Sequence, residues 1–283
     1  MPPKARHLDP LPTIWRIPDE LWALITPVLA AVDPPKREGR KRIDQRAALV
    51  AIIFRLHSVC QWNQLPEEFP DDSSVHRTFQ RWRTLGVMAV VWEAAVQACD
   101  ELHGVDWEWQ AADGMLGKAR MGDLIGPNPT DRAKNGTKKS VLVERNGAPL
   151  AIVIAAANKN DISLLVATLD AVVVDRPQPT AAAPHHLCLD LGYANKTGRT
   201  VAAAREYQVH FSRTRAERTA EHPWQPPRRW VVERTLAWLS KCRALLIRWD
   251  KHAENYLALL TLARALLWYR RYHRLNAPTP VLR

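Results

Sequence analysis

Residues 139–158 read KSVLVERNGAPLAIVIAAAN. Two apolar runs of β-forming residues flank Asn146-Gly147, a dipeptide that tolerates the positive φ angles of a tight turn between antiparallel strands. This hairpin predicts a sheet, and the segments around it say what kind. Upstream, WEWQAAD (107–113) alternates and reads as a strand ending on Asp113. Downstream, NDISLLVATLDAVVV (160–174) has helical spacing, with Asp161 placed to cap it. HLCLDLGY (186–193) is a short buried strand ending on Asp190, NKTGRTVAAAREY enters a helix, and QVHFSR (208–213) is a further strand. A proline-broken loop, HPWQPPRR, leads into one long helix over 228–249, and a last helix over 254–274 packs with it. The order predicts an α/β domain with a mixed sheet flanked by helices.

The chain before residue 105 has a different period. Residues 18–32, 44–60, 73–87 and 87–102 repeat apolar positions at helical spacing. PPKREGRKR (34–42) is a basic linker, and SSVHRTFQRWRTLGV opens on a serine cap and stops at Gly86. The pair 44–60 and 73–85 has the layout of a helix-turn-helix, whose second helix would offer His76, Arg77, Gln80, Arg81 and Arg83 to DNA; a plain helical bundle is the alternative. Three regions follow: a helical DNA-binding domain over 1–105, an α/β domain over 106–275, and a tail over 276–283.

Charge narrows the partner. The formal net charge is +11, and residues 212–283 carry 15 bases against 5 acids while residues 1–105 balance. Such an asymmetry argues for a polyanion, most simply nucleic acid. No apolar run is long enough for a membrane span and no secretory signal opens the chain, so a cytoplasmic, nucleoid-associated protein is expected. Cys60, Cys99, Cys188 and Cys242 lack zinc-type spacing and read as small buried hydrophobes.

Within RRWVVERTLAWLSKCRALLIRW (228–249) a single acid, Glu233, sits among six bases. On a helix, Val231, Val232, Thr235, Trp238, Leu239, Cys242, Leu245, Leu246 and Trp249 form one apolar stripe, and Glu233 falls off it. Asp113 and Asp190 each end an apolar strand, where α/β sheets place their sites. Singly, each acid reads as a turn residue or an ion pair, Glu233 with Arg229 four residues before it. Together they would suit hard divalent cations, which take oxygen ligands and can clamp the attacking and leaving oxygens of a phosphoryl transfer. Unpaired, they would repel one another, so the site should be weakly ordered without metal. Lys138 and Lys139, and around Glu233 the cations Arg228, Arg229, Arg234, Lys241 and Arg243, could hold a phosphate backbone. Trp230, Trp238, Trp249 and Trp268 read as core, and Trp224 as a residue to stack on an unpaired base.

DGMLGKA, GPNPTDRAKNGTKKSVLVERNGAPLAIVIAAANKND, LCLDLGY and RRWVVERTLAWLSKCRALLIRWDKHAENYLALLTLARALLWYRR resemble, in order and spacing, the bacterial insertion-sequence transposases of the DDE type. More narrowly they resemble the insertion-sequence-five family, across about residues 15–275. The resemblance implies a ribonuclease-H-like catalytic domain, with Asp113, Asp190 and Glu233 as its metal-binding catalytic triad. It implies two magnesium ions, with manganese as a substitute, and a helical unit that binds the element's terminal inverted repeats. The implied reaction is cleavage at the transposon end and transfer of the freed 3′-hydroxyl into target DNA, by a homodimer or higher state on DNA. The family's last motif is met by Arg229 and Glu233, but its tyrosine position is Pro226 and its lysine position Ser240; Ala194-Asn195 stand where the family often carries an acid. A ribonuclease-H-like nuclease without strand transfer, or an inactive DNA-binding relic, would share parts of this pattern.

Overall fold

The structure is a computed structural model that describes residues 17–211 and 229–276. Four helices come first: α1 (Asp19–Val32), α2 (Gln45–Ser58), α3 (Asp72–Thr84) and α4 (Val87–Asp100). Helical spacing sets what they bury, as where α3 turns Val75, Phe79 and Trp82 inward. An aspartate and not a serine starts α3: Asp71 accepts the Ser74 N–H at 2.9 Å, so the helix begins sooner than the serines suggest. Asp33, just after α1, is buried and takes the Trp82 indole N–H at 2.8 Å and the Arg81 guanidinium at 3.0 Å, with Arg42 as a third partner.

The sheet is built from β1 (Trp109–Ala119), β2 (Gly126–Pro127), β3 (Asn135–Glu144), β4 (Pro149–Ala156), β5 (His185–Leu189), β6 (Tyr207–Phe211) and β7 (Ile247–Arg248). Its main order is β4-β3-β1-β5-β6. β1, β3 and β4 are antiparallel, whereas β5 runs parallel to β1 and β6 parallel to β5. Three antiparallel strands followed on the central edge by two parallel ones is the ribonuclease-H-like arrangement. The Asn146-Gly147 turn forms as expected. Gly147 has φ 92°, and a Cβ there would lie 2.9–3.0 Å from Arg234, Thr235 and Val231, so side chain and conformation both exclude other residues.

Helix α5 (Asp161–Asp170) covers β3 and β4, and α6 (Lys196–Ala203) makes the crossover from β5 to β6. Asn160, one residue before Asp161, is the α5 cap, accepting the Ile162 N–H at 3.0 Å. Helix α7 (Trp230–Leu239) lies against β1 and β3; a short α8 (Arg243–Leu246) and the long α9 (Ala253–Asn276) follow, and α9 runs along α4. One apolar core is continuous through both parts of the chain. Trp268, fully buried in α9, donates its indole N–H to Pro149 O at 2.7 Å. Arg55 on α2 pairs with Asp250 at 3.1 Å, and Arg83 on α3 with Glu254 at 2.8 Å.

Two expectations fail here. The long helix over 228–249 stops at Leu239, and the chain turns back as α8 and β7, pairing Ile247 and Arg248 with Lys118 and Ala119 of β1. Arg248 decides the break: it is 0% exposed and donates to the carbonyls of Asp250 (2.9 Å) and Lys251 (3.0 Å) and to Asp123 (3.1 Å). A continuing helix could not bring that guanidinium to those acceptors. With the helix broken the apolar stripe ends too, leaving Trp249 49% exposed, and Trp230, at the start of α7, is 51% exposed rather than in the core. Among the described residues no helix is long and apolar enough to cross a membrane.

Candidate active site

Asp113 does not end β1, which continues to Ala119. It lies mid-strand, opposite Val141 of β3. On its other side β1 pairs in parallel with β5, Ala111 facing Cys188. The ladder ends there; carried two residues on, its register would bring Asp113 beside Asp190, which follows β5 directly, and the Asp190 charge is felt at Asp113. Neighbouring strands are about 4.8 Å apart, so this juxtaposition comes from the sheet itself.

Glu233 enters from α7, in its first turn. Arg229, one residue before that helix, joins it to the sheet: Nη1 donates to Asp113 Oδ2 at 2.9 Å and Nη2 to Glu233 Oε1 at 2.6 Å. Asp113 Oδ1 accepts the Gly114 N–H at 2.7 Å. Burial pushes the Asp113 carboxyl above the ordinary aspartate range; the Gly114 N–H and Arg229 pull it back, while Asp190 and Glu233 push it further up. The three acids therefore share one electrostatic neighbourhood. Among the described residues no three acid, histidine or cysteine side chains are drawn in as closely as a bound metal ion would draw them. A guanidinium does gather two of them.

Other groups meet there that the sequence did not mark for the site. Asp161 lies over the backbone of Gly114, so closely that a Cβ on that glycine would be 2.2 Å from Asp161 Oδ1. It pairs with Lys138 Nζ at 3.0 Å. The buried Tyr193 hydroxyl is pushed to a higher pKa by burial and then by Asp161, Asp113 and Asp190. The signal for Asp161 was available: an acid just after an apolar strand, one residue past a better cap. Of the departures from the family motif, Ser240 bonds back to Leu236 O at 2.9 Å, and Asn195 caps α6 through the Gly198 N–H at 2.9 Å.

The expected DNA-contacting cations divide. Lys138 and Lys139 are inside, which corrects that reading. Lys138 donates to Lys159 O at 2.6 Å besides meeting Asp161, and Lys139, 0% exposed, donates to Leu245 O at 3.0 Å. Arg81 is held by Asp33, and His76 stacks on Trp62 with centroids 4.8 Å apart. Arg77, Arg234, Lys241 and Arg243 are exposed, while Arg228 and Trp224 lie outside the described residues. Beside Arg234, a cleft of about 520 Å³ is lined by Asn146, Thr235, Trp238, Arg271 and Arg274 among others. Lys241 and Arg270 lie over the Trp238 ring, at 5.7 and 4.8 Å.

Burial lowers the Lys139 pKa to about 8. In the unfolded chain the ordinary value of 10.5 returns. Between the two the unfolded state binds more protons at this residue, so the Lys139 contribution to stability rises with pH there, by roughly 3 kcal/mol. Urea denaturation at pH 7.5 and pH 10.5 is expected to show the wild type gaining on Lys139→Met by about 3 kcal/mol as pH rises, the buried thiols and phenols of Cys99, Cys242, Tyr193 and Tyr256 pulling both proteins the other way alike. Equal pH dependence in the two proteins would mean that Lys139 is not charged and buried as described.

Strand order alone places this chain in the ribonuclease-H-like class. Comparison with known proteins narrows it. Residues 122–268 match the family model "Transposase DDE domain", and residues 17–92 match "Putative transposase of IS4/5 family". The chain belongs to the DDE transposases of the IS4/5 family, and it is a DNA transposase. It is 34% identical over 152 residues to the Burkholderia cepacia "Putative transposase for insertion sequence element IS402", covering 53% of this chain and 70% of that protein. It is also 34% identical over 118 residues to the "Insertion element IS402 uncharacterized 16.2 kDa protein" of the same organism, covering 40% of this chain and 80% of that one. A solved structure, the Mos1 mariner paired end complex with Mn, aligns over 92% of this chain and 87% of that chain at 11% identity. Its TM-score is 0.26.

The family implies use of a divalent metal. The residues fit one by their chemistry: the donors are carboxylates, the hard oxygen ligands such ions take, and two of them already surround a cation in the Arg229 guanidinium.

Proposed function

We propose that Asp113, Asp190 and Glu233 are the catalytic metal ligands, and that the transposase cuts DNA at its element's terminal inverted repeats and joins the cut ends to target DNA. The observation that supports this reading is the guanidinium shared by Asp113 and Glu233, with the Asp190 charge felt at Asp113. Two magnesium ions, or manganese in their place, would supply the positive charge that stabilises the phosphorane-like charge of an in-line displacement. In cleavage a water oxygen attacks phosphorus and the 3′-oxygen leaves as a hydroxyl. In transfer that hydroxyl attacks a target phosphodiester and releases a new 3′-end, so the number of phosphodiester bonds is conserved.

The chain's own residues hold and orient the DNA. Exposed Arg234, Lys241 and Arg243 surround the acids' helix, and the cleft beside Trp238 adds Arg271 and Arg274; together they form a positive track for a phosphate backbone. The helical part, residues 1–105, would bind the terminal repeats, with Arg77 exposed on α3. Because paired ends need paired sites, we infer a homodimer or larger assembly on DNA.

The test is a duplex ending in the element's own inverted repeat, incubated with protein and Mg²⁺. Expected are a footprint on the repeat and a nick at its boundary. Nicking without end-specific protection would favour a nuclease, and protection without nicking or saturable metal binding a relic. Arg234→Ala with Lys241→Ala is expected to weaken binding to any duplex alike and to lower the slope of log affinity against log salt by about two. An unchanged slope would remove these cations from the DNA path.

A further inference from the structure

Three like-charged groups set close together need a counter-cation. In this protein Arg229 supplies one, donating to Asp113 Oδ2 at 2.9 Å and to Glu233 Oε1 at 2.6 Å. Both acceptors are anchored on rigid elements, Asp113 in the middle of β1 and Glu233 in the first turn of α7. Arg229 precedes that helix on a long flexible side chain that is 27% exposed. It is therefore the member of the trio that can leave. A guanidinium and a divalent cation make the same demand on the two carboxylates, and both cannot meet it at once.

We propose that Arg229 is a positioning residue that stands in for a metal cation: it keeps Asp113 and Glu233 gathered in the metal-free protein and is displaced when a divalent ion binds. This rests on the reading of Asp113 and Glu233 as metal ligands. The guanidinium would offset the repulsion expected among the acids without metal. It also sets a cost. A site occupied by its own arginine most of the time binds an ion with an affinity reduced by the fraction of time it is free, here by about five- to tenfold for a partly buried ion pair.

The experiment uses the full chain without DNA, titrated with MnCl₂ in a calorimeter and melted in EDTA and in saturating Mn²⁺. Arg229→Gln is expected to bind Mn²⁺ about five- to tenfold more tightly than wild type. In EDTA it should melt about 2 °C lower, and saturating Mn²⁺ should close that gap. Arg229→Lys keeps the charge but cannot bridge two carboxylates with a fork, so it should fall between the two; it carries the same comparison if the glutamine variant does not fold. Equal or weaker Mn²⁺ binding by these variants overturns the proposal. Wild type that binds no Mn²⁺ saturably, or binds it equally well after Asp190→Ala, overturns instead the assignment of the acids on which it rests.

Discussion

Asp113→Asn is expected to reduce Mg²⁺-dependent nicking of a duplex carrying the element's ends by at least about a thousandfold, with affinity for that duplex unchanged. The amide retains the size of the carboxylate and still accepts the Gly114 N–H, so β1 and its pairing with β3 have no reason to move. What it loses is the charge. A neutral oxygen beside Asp190 is a poor ligand for a hard dication, and that ion's charge is what would offset charge building on the phosphate. Asp190→Asn should behave alike, because the same register serves both. The two measurements separate causes: lost nicking with lost DNA binding would point to a damaged surface, and wild-type nicking by either variant would end the assignment.

Arg248→Ala is expected to destabilise the fold by about 3–5 kcal/mol, read as a lower urea midpoint at unchanged slope. The guanidinium is the hub of a junction. It satisfies the carbonyls of Asp250 and Lys251 and pairs with Asp123, which in turn accepts the Ala253 N–H at 2.7 Å and so caps α9. Alanine would leave the Asp250 carbonyl without its donor, while the Lys251 carbonyl keeps the Asp123 N–H at 3.1 Å, and would empty a space beneath the Tyr256 ring. Arg248→Met refills the volume and should recover part of the loss. A cost under 1 kcal/mol for the alanine variant would mean that water replaces the arginine freely.

What could be read from the sequence was what local chemistry decides. The hairpin at Asn146-Gly147, the buried strand before Asp190 and the α4 and α9 helices all follow from neighbours in the chain. So does the candidate site in outline, since an acid after an apolar run is visible without coordinates. The misses depend on partners far away in sequence. Nothing near Lys139 says that its ammonium will find Leu245 O, more than a hundred residues on. Nothing within 228–249 says that Ile247 and Arg248 will leave a good helical pattern to pair with Lys118 and Ala119. The i,i+4 pair of Arg229 and Glu233 was visible, yet its link to Asp113 was not, because only folding brings β1 under α7.

The lamination of α4 against α9 has a consequence for how the protein is made. The apolar face of α4 is complete once residue 100 is synthesised, but its covering helix begins at Ala253. At about 5–20 residues per second, a ribosome needs roughly 10–30 s to bridge that gap. Throughout that interval the nascent chain carries an unsheathed greasy stripe, and any message cut short before the codon for Ala253 yields a polypeptide that can never sheathe it. Such fragments are natural clients for holdases and proteases, so the cell meets either the whole recombinase or very little of it.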